Sequence, residues 1–191
     1  MSAIRKLLET DGTGWWKIDL ATHIGSPIDN ETSLPKLEIV GARLRNERRF
    51  QEMYTLLKAP IAGYNCFGHV LACRRTSIKK PNLDLIFAED GIAEIDPKHV
   101  AVGDIVVYSD SEGPTHIARV SRFIDDNGIR LPVVISKFDD VSGEYEHRMS
   151  DVRWDQKPLE IDWRIYRERA RDPRKWQDWR TLIAGEAESG R

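Results

Sequence analysis

Cysteine is scarce: two in 191 residues, Cys66 and Cys73. That excludes a disulfide-stapled miniprotein and favours a reducing compartment, where cysteines more often serve chemistry than cross-linking. Long apolar runs are missing. No stretch approaches 18 apolar residues, so no membrane-spanning helix is expected. The opening MSAIRKLLETDGTGWW carries no apolar h-region, so the expected location is the cytoplasm, or outside the cell by a route without a classical signal peptide. Neither charge sign dominates, with Lys+Arg 29 against Asp+Glu 31 and a net charge of −2. A globally basic nucleic-acid binder is excluded, though a local basic patch is not. There is no Gly-rich phosphate loop, dinucleotide fingerprint or G-x-S-x-G elbow, and no internal repeat.

What is present suits an ordinary globular chain. Hydrophobic residues make up 40% and charged ones 31%, far from the composition of a disordered segment. The length fits one domain over residues 1–191 with its own core. Within it, residues 60–150 read as the functional core, 1–59 as a helical and loop extension, 151–183 as a Trp/Arg-rich extension, and 184–191 as a tail. The pattern predicts a short helix over Ser2–Thr10 and a turn at Asp11–Gly14. It predicts an irregular loop over Gly25–Pro35 and helix from Lys36 to Lys58, ended by Pro60.

The clearest signals lie between Tyr64 and His147. Asn65 is placed to cap a helix running from Cys66 to about Arg75. Strands follow at Ile105–Tyr108, His116–Phe123 and Leu131–Phe138. Asp125-Asp126-Asn127-Gly128 supplies a hairpin turn between the last two. A helix followed by an antiparallel meander predicts the α+β class. Beyond it, Arg164–Arg171 reads as a charged helix.

The chemistry-bearing stretch is Tyr64-Asn65-Cys66-Phe67-Gly68-His69. A cysteine in the first turn of a capped helix meets unpaired amides and the positive end of the dipole, which favour thiolate. A thiolate nucleophile needs a proton shuttle, and His116, opening a strand, is the candidate. Tyr64 is placed either to line a cleft or to pack in the core.

These residues resemble the NlpC-type and CHAP-type papain-like hydrolases. The likeness is carried by Tyr64-Asn65-Cys66 at a helix start, Gly103-Asp104-Ile105-Val106-Val107-Tyr108, and His116-Ile117-Ala118-Arg119-Val120. A further segment, Ser136-Lys137-Phe138-Asp139-Asp140 with Gly143-Glu144-Tyr145-Glu146-His147, is similar to one poorly characterised bacterial branch. The resemblance implies a papain-like fold and a thiol hydrolase or amidase. Cys66 would be the nucleophile, His116 the base and later the acid, and backbone amides the oxyanion hole. Ser136 stands where a third residue orients the imidazole, and His147 is the alternative. The resemblance implies a peptide or peptidoglycan-like substrate, or a protein target if the chain is a toxin or effector, and no cofactor.

Other readings stand beside this one. Cys73, two turns along the same helix, is expected in the core. Cys66, His69 and Cys73 give three donors without paired spacing, so no metal is expected. His23 and His99 read as surface or turn residues, and Asp104 as a backbone-bonding turn residue. Two alternative functions remain. One is a non-catalytic interaction module on the same scaffold. The other is nucleic-acid binding through Trp154, Trp163, Trp176 and Trp179, which are interleaved with nine Lys/Arg and six Asp/Glu between Arg153 and Arg180. Acidic residues within that segment disfavour the latter.

Overall fold

Alternation between two buried faces organises the chain around one antiparallel sheet. The structure, a computed structural model, describes residues 15–33, 54–60, 63–140, 142–152 and 162–169. The expected Ser2–Thr10 helix, the Asp11–Gly14 turn, most of the Lys36–Lys58 helix, the tail, and Trp154, Trp176 and Trp179 lie outside them. Strands β1 (Trp15–Trp16), β2 (Asn30–Ser33), β3 (Thr55–Lys58) and β4 (Ser77–Ile78) are short. Helices α1 (Cys66–Leu71) and α2 (Leu83–Glu89) flank β4 in the chain. Then come β5 (Ile92–Ile95), β6 (Ile105–Asp110), β7 (Gly113–Asp126), β8 (Ile129–Lys137), β9 (Glu144–Arg148) and β10 (Asp162–Glu168). A seven-stranded sheet runs β3-β9-β8-β7-β6-β10-β5, and a smaller one β1-β2-β4.

The meander is as expected. β6, β7 and β8 pair antiparallel in sequence order, and the β7–β8 turn carries positive φ at Asn127 (56°) and Gly128 (82°). Two positive angles in succession suit the right-handed twist of the flanking strands. Successive side chains point to opposite faces, and both faces are buried. Ile105, Val107 and Ile117 pack with Cys66, Phe67 and Val70 of α1. Val106, Tyr108, Ala118, Val120, Val134 and Tyr145 form a second core with Phe138 and Ile165. The mixed α+β class is therefore observed, with a buried cysteine-bearing helix packed on a large antiparallel sheet.

Four sequence expectations need correction. Thr55–Lys58 is a strand paired with β9 rather than the end of a helix. Asn30–Ser33, inside the expected loop, is a strand between β1 and β4, with Asn30 bonded to the Ile18 and Ile28 carbonyls. Helix α1 stops at Leu71, and Cys73 (φ 49°) and Arg74 (φ 66°) turn the chain away. The Gly68 carbonyl accepts from both Ala72 and Arg74 at that end. Finally, residues 162–168 form a strand, not a charged helix. Ile165 of this strand is buried in the second core, and the alternation of Trp163 and Ile165 follows a period of two that the charged Arg164, Arg167 and Glu168 mask.

Candidate functional site

The local chemistry begins with Asn65. Its side-chain oxygen accepts from the Gly68 amide (2.9 Å) and the Ile78 amide (3.2 Å), while its amide donates to the Ile78 carbonyl (2.8 Å). One residue thus caps α1 and ties it to β4. Gly68 allows the close approach: a Cβ there would stand 1.6 Å from the Thr76 carbonyl oxygen. Together they fix where Cys66 enters the core.

Cys66 is 6% exposed. Burial pushes its thiol up to about 12, although backbone hydrogen bonds from Ile117 and Phe67 pull the other way. The expected thiolate is therefore replaced by a resting thiol, because desolvation outweighs the helix-start effect. Cys66 packs with Val107 and Ile117 on the α1 side of the sheet, the face opposite the His116 side chain, so the structure does not bring the two together. His116 is fully buried and shares the second face with Tyr108 and Ala118. Its ring stacks on Phe138 at 5.5 Å and 6° and lies 5.6 Å from Tyr108. Burial, then the neighbouring His147 and His69, push the imidazole down to about 3. Sulfur and imidazole approach β7 from its two sides, both neutral.

The orienting candidates occupy the imidazole's face. The register Ala118↔Ser136 places Ser136 diagonally from His116. His147 lies on the next strand, and its Nε2 is 2.8 Å from the Ser136 hydroxyl. The two alternatives for a third residue are thus bonded to each other. Phe138 stacks on both imidazoles, 5.6 Å from His147.

On the α1 side lies a constellation to which the sequence gave no role. Glu144, 3% exposed, accepts from the Tyr64 hydroxyl (2.6 Å) and from Arg74 through Nε (2.6 Å) and a second guanidinium nitrogen (2.8 Å). Burial alone would raise this carboxyl, but Arg74 and Tyr64 draw it down to about 2. His69 stacks on Tyr64 and places Nε2 3.5 Å from Glu144. Burial pushes His69 down to about 4, against the pull of Glu144. Tyr64 is a core residue, 3% exposed, with its hydroxyl pushed up by burial and by Glu144. Alternation along β9 could have set Glu144 opposite the Tyr145 and His147 face. Nothing in the sequence pairs Glu144 with Arg74, seventy residues away.

The remaining candidates divide. Cys73 is exposed, not core, because α1 ends before it. His23 and His99 are exposed, at a turn and in a short 3-10 helix. Asp104 accepts from the Ala101 amide, and also binds Arg167 through both oxygens at 2.7 Å. Trp163 is 36% exposed on β10. Among the described residues, no group of three His, Cys, Asp or Glu could hold a metal ion, and no helix is long and apolar enough to cross a membrane. No protein-family model matches the chain, and no curated protein or solved structure matches it.

Proposed function

We propose that the chain is a papain-like thiol hydrolase acting on an amide bond, with Cys66 as nucleophile and His116 as base. The observation that carries this reading is the Asn65-capped helix that buries Cys66 against Ile117, next in the chain to His116 on β7. The imidazole then has Ser136 diagonally across the sheet and Phe138 stacked on it. A neutral thiol and a neutral imidazole define the resting state. The reading requires the imidazole, which rests on the other face of β7, to reach the sulfur, so that the thiol proton passes to His116 as the sulfur attacks the carbonyl carbon. His116 returns that proton to the departing amine, and water then releases the acyl group from Cys66. Peptides, peptidoglycan stem peptides and a protein target are the substrate classes that fit.

A second reading is favoured by burial. Cys66 and His116 are 6% and 0% exposed, as in an interaction module whose cysteine has become core. Hydrolysis of a panel of peptide amides and peptidoglycan fragments separates the two. The hydrolase reading expects activity that Cys66→Ala and His116→Ala abolish and Cys73→Ser preserves. Activity untouched by Cys66→Ala would contradict it, and no hydrolysis across the panel would favour the module.

A further inference from the structure

The sheet divides the histidines. His116 and His147 lie on one face, and the imidazole on the Cys66 side is His69 of α1. His69 follows Cys66 by three residues, the spacing at which helix side chains share a face, with Cβ atoms about 5–6 Å apart. Helical side chains also lean toward the N-terminus, so the ring lies over the turn that carries Cys66. Two contacts fix that ring: Tyr64 stacks on it at 6.4 Å and 21°, and Nε2 stands 3.5 Å from the Glu144 carboxylate. A carboxylate that Arg74 and Tyr64 keep ionised can only accept, so the ring proton belongs on Nε2. Burial keeps the ring neutral, and Nδ1 is then a bare lone pair. His69 is 7% exposed, yet among the described residues Nδ1 has no hydrogen-bond partner. Buried polar atoms in folded chains almost always have one. The Cys66 thiol does not supply it, since no hydrogen bond joins the sulfur to Nδ1.

We propose that His69 is a second catalytic base, the one that activates the water hydrolysing the Cys66 acyl group, with Glu144 as its positioning residue. The proposal rests on the thiol-hydrolase reading, in which His116 serves acylation and nothing is yet assigned to activate the water. The acyl group sits on the sulfur, on the α1 side of the sheet, where His69 stands and His116 does not. As the water oxygen attacks the thioester carbon, Nδ1 takes its proton while Nε2–H stays turned to Glu144. The carbon–sulfur bond breaks and the proton passes from Nδ1 to the departing sulfur. A free acid leaves, and a neutral thiol and a neutral imidazole are restored.

p-Nitrophenyl acetate separates the two half-reactions in the full chain carrying Cys73→Ser, where Cys66 is the sole thiol. Nitrophenol released in the first turnover reads acetylation of Cys66. The later steady rate, with the acetyl group mapped by mass spectrometry, reads its hydrolysis. His69→Gln should keep the first and slow the second by about 100-fold, within the range for a general base, so that acetyl-Cys66 accumulates. Should that variant fail to fold, Glu144→Gln, which keeps the imidazole but removes the carboxylate, must slow the same step. Long-range proton–nitrogen spectra of the labelled histidine rings, recorded near pH 7, add an arm without substrate. His69 is expected as the neutral Nε2–H tautomer in wild type and as a mixture of tautomers in Glu144→Gln. Three results overturn the role of His69 and leave the nucleophile standing: unchanged hydrolysis of acetyl-Cys66 in folded His69→Gln, loss of acetylation in that variant, or an Nδ1–H His69 in wild type. No acetyl group on Cys66 in the Cys73→Ser chain refutes the hydrolase reading itself.

Discussion

At the residue scale, the fate of each cysteine follows from solvent. Cys66 combines a favourable helix position with complete desolvation, and desolvation dominates. Cys73 follows the helix end and is exposed. Iodoacetamide should therefore label Cys73 of the native chain well before Cys66, with Cys66 catching up only after unfolding. Peptide mapping by mass spectrometry reads the order, and faster native labelling of Cys66 would contradict the resting-thiol assignment. Glu144 is the other decisive residue. Its buried carboxylate gathers Tyr64 and Arg74, and Lys58 Nζ stands 3.8 Å away. Glu144→Gln should cost about 2 kcal/mol, the range for hydrogen bonds to a charged group. Half-exposure of Arg74 keeps the loss below that of a fully buried pair. A urea unfolding midpoint unchanged from wild type would remove Glu144 from this role.

At the element scale, α1 is only six residues long, so its own helix propensity cannot hold it. Asn65 and Gly68 hold it instead. Asn65→Ala removes the cap and both bonds to Ile78, an expected loss of about 1–2 kcal/mol. Gly68→Ala drives a methyl into the Thr76 backbone, an overpacking cost of about 1–3 kcal/mol. It should also displace Cys66 from its packing against Ile117. Thermal unfolding of Gly68→Ala at the wild-type temperature would contradict the close approach. Sequence pattern was most reliable for such elements when both period and turn chemistry agreed. β6, β7 and β8 were legible from alternating apolar residues and from Asn127-Gly128. β10 was misread because Arg164, Arg167 and Glu168 mask the period-two signal of Trp163 and Ile165, and because its partners β5 and β6 lie far back in the chain. The short strands β2 and β3 owe their conformation to distant partners, which no local pattern announces.

At the scale of the whole molecule, three buried histidines couple the fold to pH. His69 and His116 are pushed down to about 4 and about 3, and His147 is lowered as well. All three fall below the unfolded value near 6.5. The unfolded chain therefore binds more protons than the folded one in that window. Stability from these groups is complete above about pH 6.5 and is lost as pH falls toward 4 and 3. Glu144, lowered to about 2, adds a second loss as pH falls below its unfolded value near 4.5. Urea midpoints should decline steadily from pH 7 to pH 4. A flat profile would mean that the histidines are not buried as neutral rings. Motif order names Cys66, His116, Ser136 and His147, and the sheet gathers the last three on one face with Cys66 on the other. What motif order could not supply was the thiol's protonation state and the Ser136–His147 bond, because both depend on burial and strand register.

The central claim is covalent, so a covalent measurement tests it most directly. The full chain is mixed with peptide amides and peptidoglycan fragments, quenched in acid within the first turnovers, and mapped by mass spectrometry. A thioester on Cys66, absent in Cys66→Ala and strongly diminished in His116→Ala, is the expected result. Substrate hydrolysis without any adduct at Cys66, or an equal adduct in His116→Ala, would contradict the account.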